Sequence, residues 1–584
     1  MVSHGPILRI AIDFGTYASA PAWCIPVSRD EDPAGRTIVT IGQWPGQTVA
    51  SVKTRTALLL DRDGNVIAWG DDAVVRWRQH RKDRVRLGWR FEELFKMNLM
   101  DDTDPHPLGA LAPRSTSATE DLITKYLRCM LDRVLEEISE AGFTAEDALF
   151  CLTVPNIWND GNKAIMRRCA RNAGFPEDDD RLILALEPEA AAQHARVAGI
   201  RVPGRTNDRQ LLITPGQRLI VADCGGGTID RTSYRVCADG SLEETGTSSG
   251  HPGGGAYVDR AFVDTILIPR LGGADRFRKL QDTCPDGIDA VLDQWQSAKL
   301  HITADNDTPR YFSFSADLYK KLPLRTRKDL VAAQDGEDRE IVASPEEIRA
   351  CFDAVVQDVC TLISDQVNEL AKEQEDDDPP IVVLLTGGFA ASPCLRDSVT
   401  AHLGDEAVVA VSPDPQAAIV RGAVHFACRP DTRARRARRT YGLGTSRTFR
   451  PGIDLEEDKR QAETDDGKLF DVCVTRFECL VKKGALVPSD HETEFGPYTP
   501  IRGLQRDLDL DFYVTDGPAP GHVTAASCRH IGTISIDLRP VAGRPLHSRG
   551  VRIFLKFGET EIKARAVLVA TGKETPLRLN LETS

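Results

Sequence analysis

Two segments of the chain share one order of residue types: a short apolar run, an aspartate, and then glycine with threonine. The first is "IAIDFGT" (Ile10–Thr16) and the second is "LIVADCGGGTID" (Leu219–Asp230). Glycine destabilises a strand or tight turn, so such runs are kept where the backbone must come close to something. Each segment therefore predicts a buried strand and a hairpin whose N–H groups can bind an anion.

The pair of segments is more specific than either alone. Asp13 and Asp223 occupy equivalent places, 210 positions apart. Two such hairpins facing each other would enclose a polyphosphate from both sides. Carboxylates would repel phosphate unless Mg²⁺ lies between them, usually through water. The sequence thus predicts a magnesium–polyphosphate site, and it contains no Walker A motif, which argues against a P-loop ATPase.

Strand-like and helix-like segments alternate over the first 428 residues, which is typical of an α/β architecture. The predicted strands are Leu8–Ile12, Ala148–Val154, Gln217–Ala222 and Ile381–Leu385. The predicted helices are Asp121–Glu140, Gly161–Ala173, Glu187–Ala198, Ser344–Glu373 and Gln416–Ala427.

The pattern changes after Cys428. Arg429–Arg439 is a basic, irregular tract, interpreted as a linker or alternatively as a local docking or targeting patch. Alternation with a period of two follows, as in "LDLDFYV" and "VRIFLKF", with a turn at Thr571–Lys573, and predicts a β-sandwich of about 150 residues. The predicted domains are residues 1–428, a basic linker at 429–442, and a β-sandwich at 443–584 with no helical lid after it.

Composition excludes several classes of protein. A chain of 584 residues is too long for one hydrophobic core, and its net charge of −14 argues against nucleic acid or an anionic membrane as a partner. No apolar run approaches the ~20 residues of a membrane span, and the N-terminus does not resemble a signal peptide. The 14 cysteines show no CxxC and no zinc-type Cys/His spacing, so we expect reduced thiols and a cytoplasmic protein.

Five motifs in order resemble those of the actin-like ATPase superfamily. They are "AIDFGT", "LEPEAAA", "VADCGGGTID", "LLTGGFAASPCL" and "AAIVRGAV". "LFCLTVPNIWND" is similar to a segment of the seventy-kilodalton heat-shock chaperones, and "ECLVKKGALVP" and "EIKARAVLVATGKETPLRL" resemble strands of their substrate-binding β-domain. The resemblance covers essentially the whole chain and implies a bilobal actin-like (ribonuclease H-like) ATPase domain followed by an all-β sandwich, in a divergent lidless branch.

The resemblance also implies roles for individual residues. Asp13 and Asp223 would hold Mg²⁺ through water, Glu187 and Asp230 would orient the attacking water or the metal shell, and Lys96 would stabilise phosphate. Contacts with ATP or ADP would come from Gly15, Thr16, Tyr17, Gly225, Gly226, Gly227, Thr228, Gly254, Gly255, Lys299, Thr303, Gly387, Gly388, Phe389 and Asp414.

Simpler explanations compete for several of these residues. Asp13 and Asp223 could cap local turns, Glu187 could be a helix N-terminal acid, and Lys299 could be a solvated helix lysine. Gly387 and Gly388 could form an ordinary turn, as could the segment His251–Asp259, which carries Gly254 and Gly255.

The chain departs from the family pattern at four places. Tyr17 replaces a small hydroxyl residue, which would slow hydrolysis or favour binding without turnover. Gln296 and Leu300, with Phe389 and Ala391, replace polar partners of the base and ribose. The short apolar–acidic interdomain linker and the helical lid of the chaperones have no counterpart, so a bound peptide should leave fast.

These observations predict a Mg²⁺-ATP-binding, slowly hydrolysing chaperone-like ATPase whose nucleotide state controls protein or peptide binding. A client protein or peptide and a nucleotide-exchange or co-chaperone partner are implied. Two alternatives remain open: a catalytically silent nucleotide-binding scaffold, and a phosphoryl or nucleotidyl transferase of the same superfamily.

Overall fold

The computed structural model describes residues 7–26, 32–47, 49–80, 83–99, 115–203, 211–246, 248–334, 336–375, 377–489, 491–556 and 560–577. The chain divides into two compact units. Unit 1 comprises Met1–Ile157, Cys169–Ala238 and Ser249–Pro430, and unit 2 comprises Trp158–Arg168, Asp239–Ser248 and Asp431–Ser584. The predicted boundaries at residues 428 and 442 stay a prediction.

Unit 1 contains two sheets with the same local topology. In the first sheet, Leu8–Asp13 pairs antiparallel with Ala18–Cys24 and parallel with Ala148–Val154, which pairs parallel with Leu182–Leu186. Val39–Thr40 and Thr54–Arg55 extend this sheet beside Ala18–Cys24.

The second sheet repeats the hairpin and its parallel neighbours. Arg218–Cys224 pairs antiparallel with Thr228–Val236 and parallel with Val382–Thr386, which pairs parallel with Val408–Val411. Ser249–Pro252 pairs with Thr228–Val236. Every residue of Arg218–Cys224 and Val382–Thr386 is buried, as expected for strands covered on both faces. The predicted strands are therefore confirmed, and each hairpin carries one aspartate at the end of its first strand.

Smaller antiparallel sheets complete unit 1. Ala57–Leu60 lies between Val66–Trp69 and Arg90–Glu93, and Arg310–Ser313 pairs with Glu340–Ala343. The sequence analysis did not predict these strands.

The helices of unit 1 include four of the five expected from the sequence. They are Gly70–Gln79, Arg84–Leu87, Thr116–Glu140, Glu187–Ala198, Gly255–Phe262, Ile268–Arg270, Ala274–Thr283, Pro285–Lys299, Ala316–Lys321, Leu324–Ala333, Pro345–Ala371, Pro393–Leu403 and Ala418–Cys428, with a π-helical turn at Val263–Leu267. The helix Asp160–Ala173 begins in unit 2 and ends in unit 1. Short 3₁₀ turns lie at Pro33–Gly35, Phe95–Leu99, Ala145–Asp147 and Phe389–Ala391.

Local signals define where the longest helix begins. The side chain of Ser344 accepts a hydrogen bond from the Glu347 backbone, the Glu347 side chain accepts one from the Ser344 backbone, and Pro345 occupies the first turn. This is a capping box with proline at the position it favours. The helix packs its apolar face, including Phe352 and Val359, into the core beneath the second sheet.

Unit 2 consists mainly of strands. One sheet has the order Lys459–Glu463, Leu469–Val481, Thr440–Thr448, Asp507–Thr515 and Arg529–Asp537. A second has the order Thr493–Tyr498, Val551–Lys556, Lys563–Leu568 and Lys573–Leu577. Short 3₁₀ turns lie at Glu456–Asp458, Arg539–Val541 and Leu546–Ser548. Alternate residues of both sheets, such as Leu508, Leu510, Ile553 and Leu555, share one buried core, which confirms the period-two prediction.

The basic tract is not irregular, so that expectation is wrong. Thr432–Arg436 is a strand that pairs parallel with Leu242–Glu244 and antiparallel with Leu486–Pro488. The cause is pairing with segments distant in sequence: the Arg436 backbone N–H donates to the Glu244 side chain (3.0 Å), and its guanidinium donates to the Thr245 carbonyl (2.7 Å). A run of arginines in sequence thus becomes a strand with partners on both sides.

Two whole-chain expectations can be compared with the described residues. No disulfide joins any of the cysteines in the part of the chain that the structure describes, in agreement with the predicted thiols. Within the same residues, every helix is too short or too polar to cross a membrane.

Candidate functional site

The two hairpins bring the paired aspartates into one buried cluster in unit 1. Asp13 ends the strand Leu8–Asp13, and Asp223 lies directly opposite Asp230 across the second hairpin. Glu187 begins the helix Glu187–Ala198, which follows directly after a buried strand. All four carboxylates are buried.

Two lysines face these carboxylates. Lys96 Nζ lies 2.8 Å from Glu187 Oε1 and 2.5 Å from the carbonyl oxygen of Phe14. Lys53 Nζ lies 2.7 Å from Asp13 Oδ2, while the Thr153 hydroxyl donates to Asp13 Oδ1 (3.1 Å). The structure therefore places Lys96 beside Glu187, while its role at phosphate stays a prediction, and it adds Lys53, which the sequence analysis missed.

The electrostatics of the cluster favour a bound cation. Burial and the carboxylates of Glu187, Asp230 and Asp13 hold the pKa of Asp223 well above its ordinary value, although Lys53 opposes this. Burial also raises the pKa of Glu187, with Lys96 acting in the opposite direction. Burial lowers the pKa of Lys53, but Asp13 and its neighbours more than compensate, so the pKa is raised overall. Buried like charges that raise one another's pKa are stabilised when a cation joins them.

The residues present fit a hard divalent cation. Asp223 Oδ1 is buried and accepts no hydrogen bond from any residue that the structure describes. The surrounding donors are carboxylate, carbonyl and hydroxyl oxygens, the ligand type that Mg²⁺ prefers. Lys53 competes for Asp13 Oδ2, so a metal shell there would share that oxygen or displace the lysine.

The triple glycine packs closely against Tyr17 of the first hairpin and against Met97. A Cβ on Gly226 would lie 3.2 Å from Tyr17 Cβ, and one on Gly227 would lie 2.5 Å from Met97 Sδ. The carbonyls of Gly225, Gly226 and Gly227 accept hydrogen bonds from the backbone at the start of the helix Gly255–Phe262. Close packing within the protein is thus one cause of the glycine run, alongside any approach to a ligand.

Tyr17, the departure in the first loop, lies in this contact. Its ring lies beneath the Arg55 guanidinium at 4.4 Å, and Arg55 reaches Glu93 at 4.0 Å. Burial raises the pKa of Tyr17 to about 12. The Thr56 hydroxyl donates to the Gly15 carbonyl (2.8 Å), so the first loop is held from two sides.

Several residues predicted to contact adenosine lie next to the glycine loop. Lys299 Nζ lies 2.6 Å from Asp259 Oδ1, which also accepts from Trp295 Nε1 (2.8 Å). A Cβ on Gly255 would contact Phe389 at 3.7 Å and Lys299 at 3.9 Å. Lys299 is therefore an ion-paired residue rather than a solvated lysine.

Gly387 and Gly254 occupy conformations that favour glycine. Gly387 has φ +87°, and a Cβ there would lie 2.3 Å from Asp223 Oδ1. Gly254 has φ +109°, and its Cβ would lie 2.3 Å from the Gly225 carbonyl. Gly388 has open space around it.

Other predicted residues are less closely tied to the carboxylates. Asp414 forms an ion pair with Arg421 (3.4 Å). Thr303 lies beyond the helix Pro285–Lys299, and Thr16 is half-buried at the first turn. Thr228 begins the strand Thr228–Val236, and its carbonyl accepts from Gly225 N–H (2.9 Å). Their roles stay predictions.

Asp259 and Lys53 carry contacts that the sequence analysis did not assign. Asp259 lay within the glycine-rich segment already singled out, so its spacing from Gly254 was an available signal. Lys53 lies in "SVKTRT", a segment without apolar periodicity or a glycine motif, and no local pattern indicates its partner.

Comparison with known proteins gives full-length relatives. No family model matches the chain. Human heat shock 70 kDa protein 12B is 28% identical over 635 aligned positions that cover 97% of this chain and 89% of that protein. Human and mouse heat shock 70 kDa protein 12A are each 25% identical, with 98% of this chain and 91% of those proteins covered.

These full-chain similarities support a divergent branch of the seventy-kilodalton heat-shock protein family. The resemblance expected from the motifs is thereby confirmed. Similarity to these heat-shock proteins implies an actin-like ATPase fold and suggests an actin-like nucleotide-binding protein.

Proposed function

We propose that the chain binds Mg²⁺-ATP between its two hairpins, hydrolyses it slowly, and uses the nucleotide state to control binding of a protein or peptide. In this proposal unit 1 is a bilobal actin-like domain and the two sheets of unit 2 form a β-sandwich. The observation that carries the proposal is the buried cluster of Asp13, Glu187 and Asp223 with Lys53 and Lys96.

Asp13 and Asp223 are the residues that would hold Mg²⁺ through water. Bound there, the metal would neutralise charge on the phosphate oxygens. Glu187 would orient the attacking water, because it ends a strand-to-helix connection and is itself held by Lys96 at 2.8 Å. Asp230 is fixed by the Ile157 N–H (2.8 Å) and would support the same shell.

The remaining site residues would bind the nucleotide. Lys96 would stabilise phosphate through its positive charge. Its ammonium is held in place by Glu187 and the Phe14 carbonyl. The hairpin backbones at Gly15 and Gly225–Gly227 would contact the phosphates. Lys299 and Phe389, next to Gly255, would lie against the adenosine.

Unit 2 offers a surface for a peptide. A cavity of about 830 Å³ is lined by apolar residues, including Phe470, Val472 and Ile501. Its lining also contains four carboxylates, from Glu463, Asp465, Glu478 and Asp509, but only Arg447 and His547 among basic groups. An extended client segment with apolar and basic side chains would match this lining.

The first experiment is a Mg²⁺-ATP turnover assay on the full chain that separates ADP, AMP and free phosphate. Wild type should release ADP and phosphate in equal amounts. The double variant Asp13→Asn/Asp223→Asn should lose this release, whereas Asp63→Asn, an exposed turn residue, should keep it. ADP without matching phosphate would contradict simple hydrolysis and favour transfer to an acceptor.

A silent nucleotide-binding scaffold is the second candidate, because Tyr17 contacts the second hairpin and Lys53 already pairs with Asp13. For this candidate ATP would raise the melting temperature without turnover. The variant Tyr17→Thr tests it, since a small hydroxyl residue removes the ring from the loop contact. Tyr311→Thr, at an exposed position, is the control. Turnover that appears in Tyr17→Thr but not in this control would show that Tyr17 prevents hydrolysis in wild type. If wild type shows no turnover and ATP does not raise its melting temperature, both candidates are contradicted.

A further inference from the structure

Three residues of types that bind transition metals lie close together in unit 2, although they come from separate segments of the sequence. Asp454 follows the strand Thr440–Thr448, Cys473 lies on the strand Leu469–Val481, and His522 precedes the strand Arg529–Asp537. One potential ligand atom from each residue lies within 4.8 Å of the others. None of these residues belongs to the nucleotide site of unit 1.

The three side chains are buried to a degree that suits a structural site. Asp454 and Cys473 are buried, and the side chain of His522 is 20% exposed. His522 Nε2 lies 3.5 Å from Asp454 Oδ1, and Nδ1 lies 3.8 Å from Cys473 Sγ. The imidazole thus stands between the carboxylate and the thiol.

The backbone fixes this arrangement before any metal binds. His522 forms an isolated bridge with Arg476, and the next residue, Val523, donates its N–H to the Thr475 carbonyl (2.8 Å). Asp454 Oδ2 accepts from the Arg450 N–H (2.7 Å), which leaves Oδ1 directed at His522 and Arg476. Asp454 Oδ1 is buried and forms an ion pair with Arg476 Nη2 that is not a well-aligned hydrogen bond, so zinc would share this oxygen with the guanidinium.

The ligand set selects the class of metal. A thiolate with an imidazole and a carboxylate is typical of zinc, whereas Mg²⁺ and Ca²⁺ prefer oxygen ligands alone. The 3.5 Å contact involves Nε2 of His522 and the 3.8 Å contact involves Nδ1, and only one of these nitrogens can bind a given zinc. With one ligand atom from each residue, all three atoms lie within 4.8 Å of one another, so they would move closer by about 1 Å around a metal with bonds of about 2.0–2.3 Å.

The local charges would balance on zinc binding. Asp454, Asp458 and the Cys473 thiolate carry three negative charges, which Zn²⁺ and the Arg476 guanidinium together neutralise. Asp458 approaches the site through the Thr475 hydroxyl, which donates to Asp458 Oδ2 (2.7 Å) and lies 3.1 Å from His522 Nδ1. Buried charges are tolerated when they are paired or coordinate a metal.

We propose that Asp454, Cys473 and His522 form a zinc site in unit 2, with a water near Asp458 as the fourth ligand. The Cys473 thiol gives up its proton to solvent as the sulfur–zinc bond forms. One imidazole nitrogen binds zinc, and the other remains for a hydrogen bond in the outer shell.

The experiment is titration of the full-length, metal-stripped protein with Co²⁺ and then Zn²⁺. Co²⁺ bound at this site should give a thiolate-to-cobalt charge-transfer band, which Zn²⁺ should abolish by displacement. The variant Cys473→Ala should lose the band, and His522→Gln should weaken Zn²⁺ binding by about 100-fold or more. His522 is partly exposed, so its replacement tests the site with less risk to folding.

Matched controls come from the same unit. Cys528→Ala and His530→Gln remove a cysteine and a histidine outside the cluster and should leave both titrations unchanged. Circular dichroism of each variant checks that it is folded. Absence of a charge-transfer band in wild type, or a band that persists in folded Cys473→Ala, would overturn the proposal.

Discussion

At the scale of single residues, the ion pair between Lys53 and Asp13 sets the charge of the proposed nucleotide site. The lysine lies 2.7 Å from the carboxylate, and its side chain is 19% exposed. It lowers the pKa of Asp223 and Glu187, which burial and the neighbouring carboxylates raise. Lys53 therefore acts as an internal counter-ion that Mg²⁺ would partly replace.

Replacing Lys53 by alanine should destabilise the ligand-free protein by about 2 kcal/mol, somewhat less than the ~3–5 kcal/mol for breaking a fully buried pair. Mg²⁺-ATP should recover much of this loss, because the metal supplies the missing positive charge. Thermal melting in chelator and in Mg²⁺-ATP measures both effects. Lys468→Ala, which alters an 81% exposed lysine, is the control. Equal melting of Lys53→Ala and wild type in chelator would contradict the assigned role.

The buried amine of Lys163 should make the stability of unit 2 depend on pH. Its ammonium donates to the Thr560 carbonyl (2.9 Å), and burial lowers the pKa of Lys163 to about 8. The unfolded chain keeps the ordinary pKa near 10.5, so between pH 8 and pH 10.5 the unfolded state binds more protons. Stability should therefore rise with pH across this interval, by up to about 3 kcal/mol.

The measurement is the free energy of unfolding at pH 7 and pH 10 for wild type and Lys163→Met. The gain between the two pH values should be larger in wild type, because methionine carries no proton to lose. Other groups titrate equally in both proteins, and the difference isolates Lys163. An identical pH profile for the two proteins would show that this amine keeps an ordinary pKa.

At the scale of elements, the sequence predicted those parts whose signals are local. Apolar runs ending in aspartate and glycine gave Leu8–Asp13 and Arg218–Cys224, and the period of two gave Asp507–Thr515. Thr432–Arg436 was missed because its arginines are polar in pattern and become a strand only by pairing with Leu242–Glu244. Strand formation there depends on a partner almost 200 residues away, which no local window contains.

The same distinction applies to the sites. Asp13, Glu187 and Asp223 lie in motifs that carry their own signal. Lys53 and the cluster around Cys473 do not, since their partners come from separate segments. The absence of zinc-type spacing in the sequence therefore excluded contiguous zinc motifs but not a site assembled by folding.

Two adjacent glycines at the end of the strand Val382–Thr386 allow a matched test of how that strand supports the site. Gly387→Ala should cost about 1–3 kcal/mol, since its Cβ would meet Asp223 Oδ1 at 2.3 Å in a left-handed conformation. It should also weaken nucleotide binding by moving Asp223. Gly388→Ala, with open space and helical φ and ψ, should leave the free energy of unfolding nearly unchanged. Denaturant unfolding and nucleotide titration compare the pair, and equal effects would contradict a specific clash at Gly387.

At the scale of the whole molecule, the proposed chemistry is divided between the two units. The carboxylate cluster belongs to unit 1, whereas the cavity and the proposed zinc site belong to unit 2. Nucleotide can control peptide binding only if it has different affinities for two states that also differ in peptide affinity. Coupling is thus a measurable free energy, and it acts equally in both directions.

Mg²⁺-ATP and a peptide that binds the unit 2 cavity should therefore change each other's affinity by the same factor. A coupling of about 1–3 kcal/mol corresponds to roughly 5–150-fold. Fluorescence anisotropy of a labelled apolar–basic peptide with and without Mg²⁺-ATP gives one factor, and nucleotide titration with and without peptide gives the other. Asp13→Asn/Asp223→Asn should bind the peptide with the same affinity in the presence and absence of Mg²⁺-ATP, because this variant should not bind the nucleotide. If saturating Mg²⁺-ATP leaves the peptide affinity of wild type unchanged, the two units act independently.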